Sequence, residues 1–287
     1  MSLIITGASG HLGRRTAELL LDTEGVDAAD VVLITRDPSK LDDLAARGAR
    51  VRRGDFSEPS SLGAAFAGAT RVLIVSTDVV GARMAGHQAA IDAATAAGAR
   101  LIAYTSLPNP VAENPAGAAA DHRATEEALV ASGVAHTFLR NALYNEFRIP
   151  EAQAAAASGT FHHNMGDGVT AYVSREDCAA AAAAVLAGGD EHAGKAYDIT
   201  GPELLSGADL AKLYGARESR VDDDAFAAGL VAAGLPEAVA PLLVSFGRAI
   251  REGYLDQVSG DVEALTGRAP RSVAEVLAAA GVGAGAA

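Results

Sequence analysis

An α/β fold built on a doubly wound parallel sheet is what this sequence predicts, from three observations. An apolar run near the start, Leu3-Ile4-Ile5-Thr6, passes straight into Gly7-Ala8-Ser9-Gly10-His11-Leu12-Gly13, with glycines three residues apart. Five further runs of strand length follow, each separated from the next by a stretch of helical spacing. Within several of them the apolar residues are consecutive, as in Val31-Val32-Leu33-Ile34, which suits strands covered by helices on both faces. Ligands of such a fold lie beyond the carboxyl ends of the strands.

The first strand is read at Leu3 to Thr6, and each glycine after it has its own reason. Gly7 permits a sharp turn, Gly10 lets backbone N–H groups approach a pyrophosphate, and Gly13 lets the following helix pack close to the sheet. A helix over 11–21 then aims its positive end, near His11 and Leu12, at the phosphates. Glycine spacing alone also occurs in loops that bind nothing. The strand before it and the helix and strand after it are the context of a dinucleotide site, with Gly7, Ser9, Gly10, His11, Leu12 and Gly13 as contacts.

A second strand, Val31 to Thr35, ends at Arg36-Asp37-Pro38, where the adenosine ribose would lie. An acid there accepts from the 2′-hydroxyl of NAD, whereas an arginine grips the 2′-phosphate of NADP through two hydrogen bonds. Arg36 therefore favours NADPH, and Asp37 is expected to turn away and start the helix at Pro38. The third strand, Arg50 to Arg52, leads to Gly54-Asp55-Phe56. Asp55 there suits either the adenine amino group or an ordinary turn, and Phe56 offers a backbone or face contact. The fourth, Val72 to Ser76, brings Ser76 and Thr77 beside the nicotinamide ribose; the fifth and sixth are Leu101 to Thr105 and His136 to Leu139. Intervening helices are expected around 39–47, 60–66, 82–97 and 121–132.

The pattern changes after Pro150. An alanine-rich helix (151–157), a segment Thr160 to His163, a loop through Gly166-Asp167-Gly168 and a run from Val169 to Val173 precede a helix that Ser174 could cap. Lys195 to Thr200 reads as a returning strand, and from Ser206 the chain is mostly helical, broken at Pro236, Pro241 and Pro270. Residues 1–150 are thus read as the nucleotide-binding domain and 151–287 as a smaller, mostly helical substrate-side lobe that partly rejoins the sheet.

Composition narrows the function. With 49% hydrophobic and 21% charged residues the chain is an ordinary globular one. Apolar runs such as 179–187 are too short for a membrane span, and no basic region precedes an apolar core at the start, so a cytoplasmic location is expected. A net charge of −13 opposes nucleic acid and anionic membranes and sets repulsion against self-association; a homodimer stays open. The lone cysteine, Cys178, excludes an internal disulfide and reads as a small buried residue. Neighbouring His162 and His163 near Asp167 form a loop pair rather than a metal site, and no metal is expected.

The glycine spacing suggests short-chain dehydrogenases and sugar-nucleotide epimerases, which work through a Tyr-x-x-x-Lys pair whose lysine lowers the tyrosine pKa. That pair is missing. The three lysines are Lys40, Lys195 and Lys212, while Tyr104, Tyr144 and Tyr172 are followed at the required spacing by Pro108, Arg148 and Glu176. Arg148 could lend charge to Tyr144, but standard alcohol oxidation or epimerisation is not expected.

Four segments in order, Thr6 to Gly13, Thr35 to Pro38, Ala103-Tyr104-Thr105-Ser106-Leu107 and Ser132 to Asn141, resemble the NmrA-like group of atypical short-chain dehydrogenases. Within it the chain is most similar to the bacterial type-2 NAD(P)H:quinone oxidoreductases. The resemblance implies that Ser76 to Asp78 (Ser76, Thr77, Asp78) and Asn141 join the glycine loop and Arg36 in holding NADPH, with Tyr104, Thr105 and Ser106 bordering the nicotinamide. Tyr144 and Phe147 would wall the substrate pocket. Related isoflavone-reductase-like enzymes carry a catalytic lysine eleven residues before the glycine of the Ser-Gly turn, and here His122 stands at that position. His122 and Tyr144 are thus the catalytic candidates, His122 as a proton donor near neutral pH. The expected activity is hydride transfer from NADPH to a quinone or similar flat acceptor without flavin or metal; the alternative is an NADP-binding redox sensor that does not turn over.

Overall fold

A computed structural model describes residues 1–283. In the first half, strands β1 (Leu3–Ile5), β2 (Val31–Thr35), β3 (Arg50–Arg53), β4 (Arg71–Ile74), β5 (Leu101–Ser106) and β6 (Ala135–Asn141) alternate with helices α1 (His11–Asp22), α2 (Asp42–Ala46), α3 (Leu62–Phe66), α4 (Met84–Ala96) and α5 (Ala119–Ala131). The second half contributes the short strands β7 (Leu143–Tyr144), β8 (Thr160–His163), β9 (Val169–Thr170), β10 (Tyr172–Val173), β11 (Ala196–Ile199), β12 (Leu205–Ser206) and β13 (Arg217–Arg220). Among these run helices α6 (Arg148–Ser158), α7 (Arg175–Gly188), α8 (Gly207–Tyr214), α9 (Asp223–Ala232), α10 (Ala240–Arg251), α11 (Asp261–Thr266) and α12 (Val273–Ala279).

Seven strands form one parallel sheet in the order β11-β6-β5-β4-β1-β2-β3. Strand order reverses at β1, which pairs with β2 on one side and β4 on the other, so a crevice opens beyond the carboxyl ends of β1 and β4. Alternate residues of each strand feed opposite cores. Leu3, Ile5, Leu33 and Leu73 pack with Leu12, Leu20 and the alanines of α7, whereas Ile4, Val32, Val72 and Ile74 pack with Phe66, Ile91 and Leu129. Two buried faces explain why the strands are apolar at consecutive positions. A third core, around Phe161, Tyr172, Leu210, Tyr214 and Ile250, is built mainly from the second half, joined by Leu107, Ala116 and Ala119 from the first.

The returning strand joins the main sheet as β11, pairing along Phe138 to Asn141, and this lengthens β6 beyond the expected Leu139. By contrast β4 stops at Ile74 rather than Ser76. Beyond it Val75 N donates to Thr6 Oγ1 at 3.1 Å and Ser76 N to Thr105 Oγ1 at 2.8 Å, so threonine hydroxyls replace the ladder. The helix expected over 39–47 is a 3-10 turn (Pro38–Leu41) followed by α2. Pro241 begins α10 instead of breaking it, because a first-turn residue needs no N–H partner. Three short strands escaped the sequence reading: β7 and β12, of two residues each, and β13, Arg-Glu-Ser-Arg, which pairs in parallel with β8 and carries no apolar pattern.

Helix α7 is capped as expected, Ser174 Oγ accepting from Asp177 N at 3.0 Å. Asp177 itself is 0% exposed, accepts from Ser174 Oγ at 2.6 Å and Arg271 N at 2.9 Å, and pairs with Arg268. It ties the segment before α12 to the start of α7. Asp177→Asn is expected to cost about 2–4 kcal/mol in a urea titration, because it leaves a buried set of donors facing a neutral group; an unchanged midpoint would show the tie to be dispensable. Cys178, next in the chain, is buried, and burial pushes its thiol pKa up. No helix among the described residues is long and apolar enough to cross a membrane.

Candidate active site

The loop after β1 is shaped by its glycines. Gly7 takes φ +60°, and its carbonyl accepts from Gly10 N at 2.9 Å. A Cβ on Gly13 would lie 2.6 Å from that same carbonyl oxygen, so only glycine lets α1 start this close to the strand. Gly10 is the N-cap of α1 and offers no side chain, and the first N–H groups of this 12-residue helix have no side-chain cap. They face the crevice mouth, where Ser9, Gly10 and His11 are exposed while Leu12 and Gly13 are buried. An uncapped helix start with backbone exposed beside it suits a pyrophosphate.

Ser9 is tied to the end of β2, where Thr35 Oγ1 donates to Ser9 Oγ at 2.9 Å. The next residue, Arg36, is exposed and has no carboxylate within 4 Å among the described residues. Asp37 turns away as expected and caps the following turn, accepting from Ser39 N at 3.2 Å and Ser39 Oγ at 2.6 Å. Those bonds hold its carboxyl below the usual range. Asp55 adopts the turn role that was open to it, with Oδ1 accepting from Ser57 N at 2.9 Å and Ser57 Oγ at 2.7 Å. Phe56 is half-buried and turned toward α4, its ring edge-on to His87 at 6.4 Å.

At the end of β4, Ser76 and Thr77 are half-buried and Asp78 is exposed. Ser76 is held by Thr105, and Thr77 N donates to His87 Nε2 at 3.2 Å. Past β6, Asn141 is buried; its Nδ2 lies 3.5 Å from the Tyr144 hydroxyl and its Oδ1 has no partner. Tyr144 and Phe147 form an aromatic wall with centroids 5.9 Å apart, Tyr144 half-buried and Phe147 52% exposed.

A family model described as NAD(P)H-binding matches residues 7–188, which contain this whole constellation. Quinone oxidoreductase 2 of Escherichia coli is 37% identical over 95% of this chain and 96% of its own length. The chain belongs to the NAD(P)H-binding family. Among solved structures, the E. coli NADPH-dependent quinone oxidoreductase complexed with NADPH superposes with a TM-score of 0.90 at 36% identity, covering 97% of this chain and 99% of that one. The Citrobacter sp. triphenylmethane reductase complexed with NADP(H) gives 0.88 at 31% identity, over 98% and 100%.

The residues present fit the cofactor of an NAD(P)H-binding protein. The cradle at Gly7, Gly10 and Gly13 is one that a Cβ would fill, and the buried, unpartnered Asn141 Oδ1 is an acceptor that needs a donor.

Three of the expected roles do not survive in this geometry. Tyr104 is 0% exposed, packed in the core under α4 and α5, so its side chain does not border the groove; only its backbone, on β5, reaches the strand end. Its hydroxyl lies 2.9 Å from His122 Nδ1, and burial pushes its pKa up. His122 is 6% exposed, with Arg83 Nη1 donating to Nε2 at 2.9 Å. Desolvation, reinforced by the Arg83 charge, pulls its pKa down to about 3. A neutral imidazole with both nitrogens engaged has no proton to give near neutral pH. Nor does Arg148 charge Tyr144: it pairs with Glu151 at 2.7 Å and stacks on Tyr172 at 4.9 Å. Burial raises the Tyr144 pKa, so its hydroxyl stays protonated and serves as a hydrogen-bond group. Among the described residues no group of three or more His, Cys, Asp or Glu is arranged to hold a metal; His163 is buried against Glu218 at 3.1 Å, and His162 is exposed.

Sequence reasoning missed Arg83 and His87, which stand four apart at the start of α4 and close over His122 and Tyr104. His87 Nδ1 meets Thr125 Oγ1 at 2.9 Å, and burial takes its pKa down to about 4. The cluster joins α4 and α5 to the Thr77 backbone and has a pH signature. Both histidines stay neutral in the folded protein below their unfolded pKa of about 6.5, whereas the unfolded chain takes up protons there. Their contribution is therefore complete above about pH 6.5 and declines as pH falls toward 4 and 3. Thermal melts should show a steeper loss between neutral and mildly acid pH for the native protein than for His122→Gln, which keeps the same carboxylates; parallel curves would remove the histidine from this account.

Proposed function

We propose that the protein reduces quinones or similarly flat conjugated acceptors with NADPH. The observation that carries this reading is the partly exposed aromatic wall of Tyr144 and Phe147 at the mouth of the nucleotide crevice. Two relatives of high coverage, named for reduction of a quinone and of a triphenylmethane, support an acceptor of that kind. NADPH over NADH rests on Arg36, with Asp37 committed to Ser39. The glycine loop, Arg36, the segment Ser76 to Asp78, Thr105 and Asn141 would hold the cofactor; Asp55 keeps Oδ2 for the adenine.

A bound NADPH supplies a hydride, and the balance of quinone reduction asks for one proton more. The chain places no lysine beside Tyr144 and seals His122 away, so that proton comes from water at the open edge near Phe147. What the residues contribute is placement: Tyr144 and Phe147 hold a ring face, and Thr105 and His87 stiffen the β4 loop through Ser76 and Thr77. The single cysteine, a buried free thiol, accords with work in the cytoplasm.

Purified protein mixed with NADPH and a panel of quinones, followed by the absorbance of the reduced nicotinamide, tests the reading. Consumption that depends on quinone is expected. Tight NADPH binding with no consumption on any acceptor would instead favour a sensor.

A further inference from the structure

We propose that Arg175 selects the electron acceptor, favouring flat acceptors that carry an anionic substituent such as a carboxylate, sulfonate or phosphate monoester. This rests on the reading of Tyr144 and Phe147 as the acceptor wall.

Arg175 opens α7, immediately after Ser174, and β10 pairs with β7 in the register Val173 to Tyr144, which brings the start of α7 to that wall. Its guanidinium carbon lies 5.4 Å over the Tyr144 ring and 5.0 Å over the Phe147 ring. Stacking occupies the faces of a guanidinium, while its five N–H groups lie in the plane and stay available. The rings thus hold the side chain still without using its donors.

Among the described residues those donors have no taker. Among the described residues no carboxylate lies within 4 Å of the half-buried Arg175 guanidinium, although nearby arginines are paired: Arg15 with Glu176 at 2.7 Å, Arg140 with Glu126 at 2.8 Å and Arg268 with Asp177. Glu146, two residues past Tyr144, accepts from the Arg175 backbone N–H at 2.9 Å rather than from the guanidinium. Acids outnumber bases 36 to 23 in this chain, so leaving one partly desolvated arginine unpaired at the mouth is not for want of carboxylates. The overall field repels anions, and only a local, in-plane, charge-assisted contact of this kind would draw one in. An acceptor with its ring on Tyr144 and Phe147 and its anion on Arg175 uses both halves of the feature.

The test compares ortho-naphthoquinone with its sulfonated counterpart in the native enzyme, Arg175→Gln and Arg175→Lys, with NADPH as donor. In Arg175→Gln the ratio of kcat/KM for sulfonated over neutral quinone should fall roughly 10–100-fold. The loss should lie in KM, with NADPH affinity unchanged and partial recovery in Arg175→Lys. Equal loss for both quinones would make Arg175 a mere prop of the wall, and a parallel loss of NADPH affinity would assign it to the cofactor; either overturns the proposal. Binding of naphthalene sulfonate to the NADP⁺-loaded protein, by calorimetry, separates this from the quinone reading. Weaker binding in Arg175→Gln supports anion selection even without turnover, and equal binding overturns it even if quinones are reduced.

Discussion

Arg36→Glu is expected to weaken NADPH binding by about 100-fold while changing NADH affinity only a few-fold. The side chain stands at the first position past β2, exposed and unpaired by any carboxylate among the described residues. It is free to take the 2′-phosphate in a bidentate grip, and a glutamate there would add repulsion to the lost contact. The two acids beside it are engaged elsewhere. Asp37 is bonded to Ser39, and the Asp55 carboxyl is held low first by Ser57 and only secondarily by the charge of Arg36. Fluorescence titration of both cofactors against both proteins is the measurement. Equal loss for NADPH and NADH would show Arg36 to be surface decoration.

Gly13→Ala carries the second large effect, and its sign opposes what helix propensity alone would give. An alanine in a helix interior ordinarily gains about 1 kcal/mol over glycine. At Gly13 the added Cβ would meet the Gly7 carbonyl oxygen at 2.6 Å and Ala8 Cα at 3.0 Å, both backbone atoms that move only if α1 leaves the strand. A cost of about 1–3 kcal/mol is expected. NADPH affinity should fall at least about tenfold, since displacing α1 misplaces its N-terminal donors. Gly63→Ala in α3 is the control, because a Cβ there meets nothing within 4 Å, and it should be neutral or stabilising. Melting temperature and NADPH affinity decide together; a Gly13→Ala protein that keeps both would refute the close approach as the reason for that glycine.

The geometry of the glycine loop and of the β2 end was legible because its signals are local. Gly7 to Gly13 and Arg36 each act within a few residues of a strand end, and the chain geometry of a strand, a tight turn and a helix start is written in adjacent residues. Asp37 was read correctly for the same reason, its partner being Ser39. The catalytic half was less legible. Position and ordinary pKa made His122 a proton donor, but its burial is the work of Arg83 and His87, about 40 residues upstream in the chain, which close over it from α4. Arg175 carried no signal at all until β10 laid α7 beside Tyr144.

By itself, then, the sequence determined the doubly wound sheet, the tight glycine turn into α1 and the arginine that follows β2, since consecutive apolar residues and short-range turn chemistry specify strands, helices and their junctions. Tertiary structure alone decided which titratable groups see water. Protonation and free donors depend on desolvation and on partners brought from distant segments, as with His122 sealed beneath α4 and Arg175 left open above two aromatic rings.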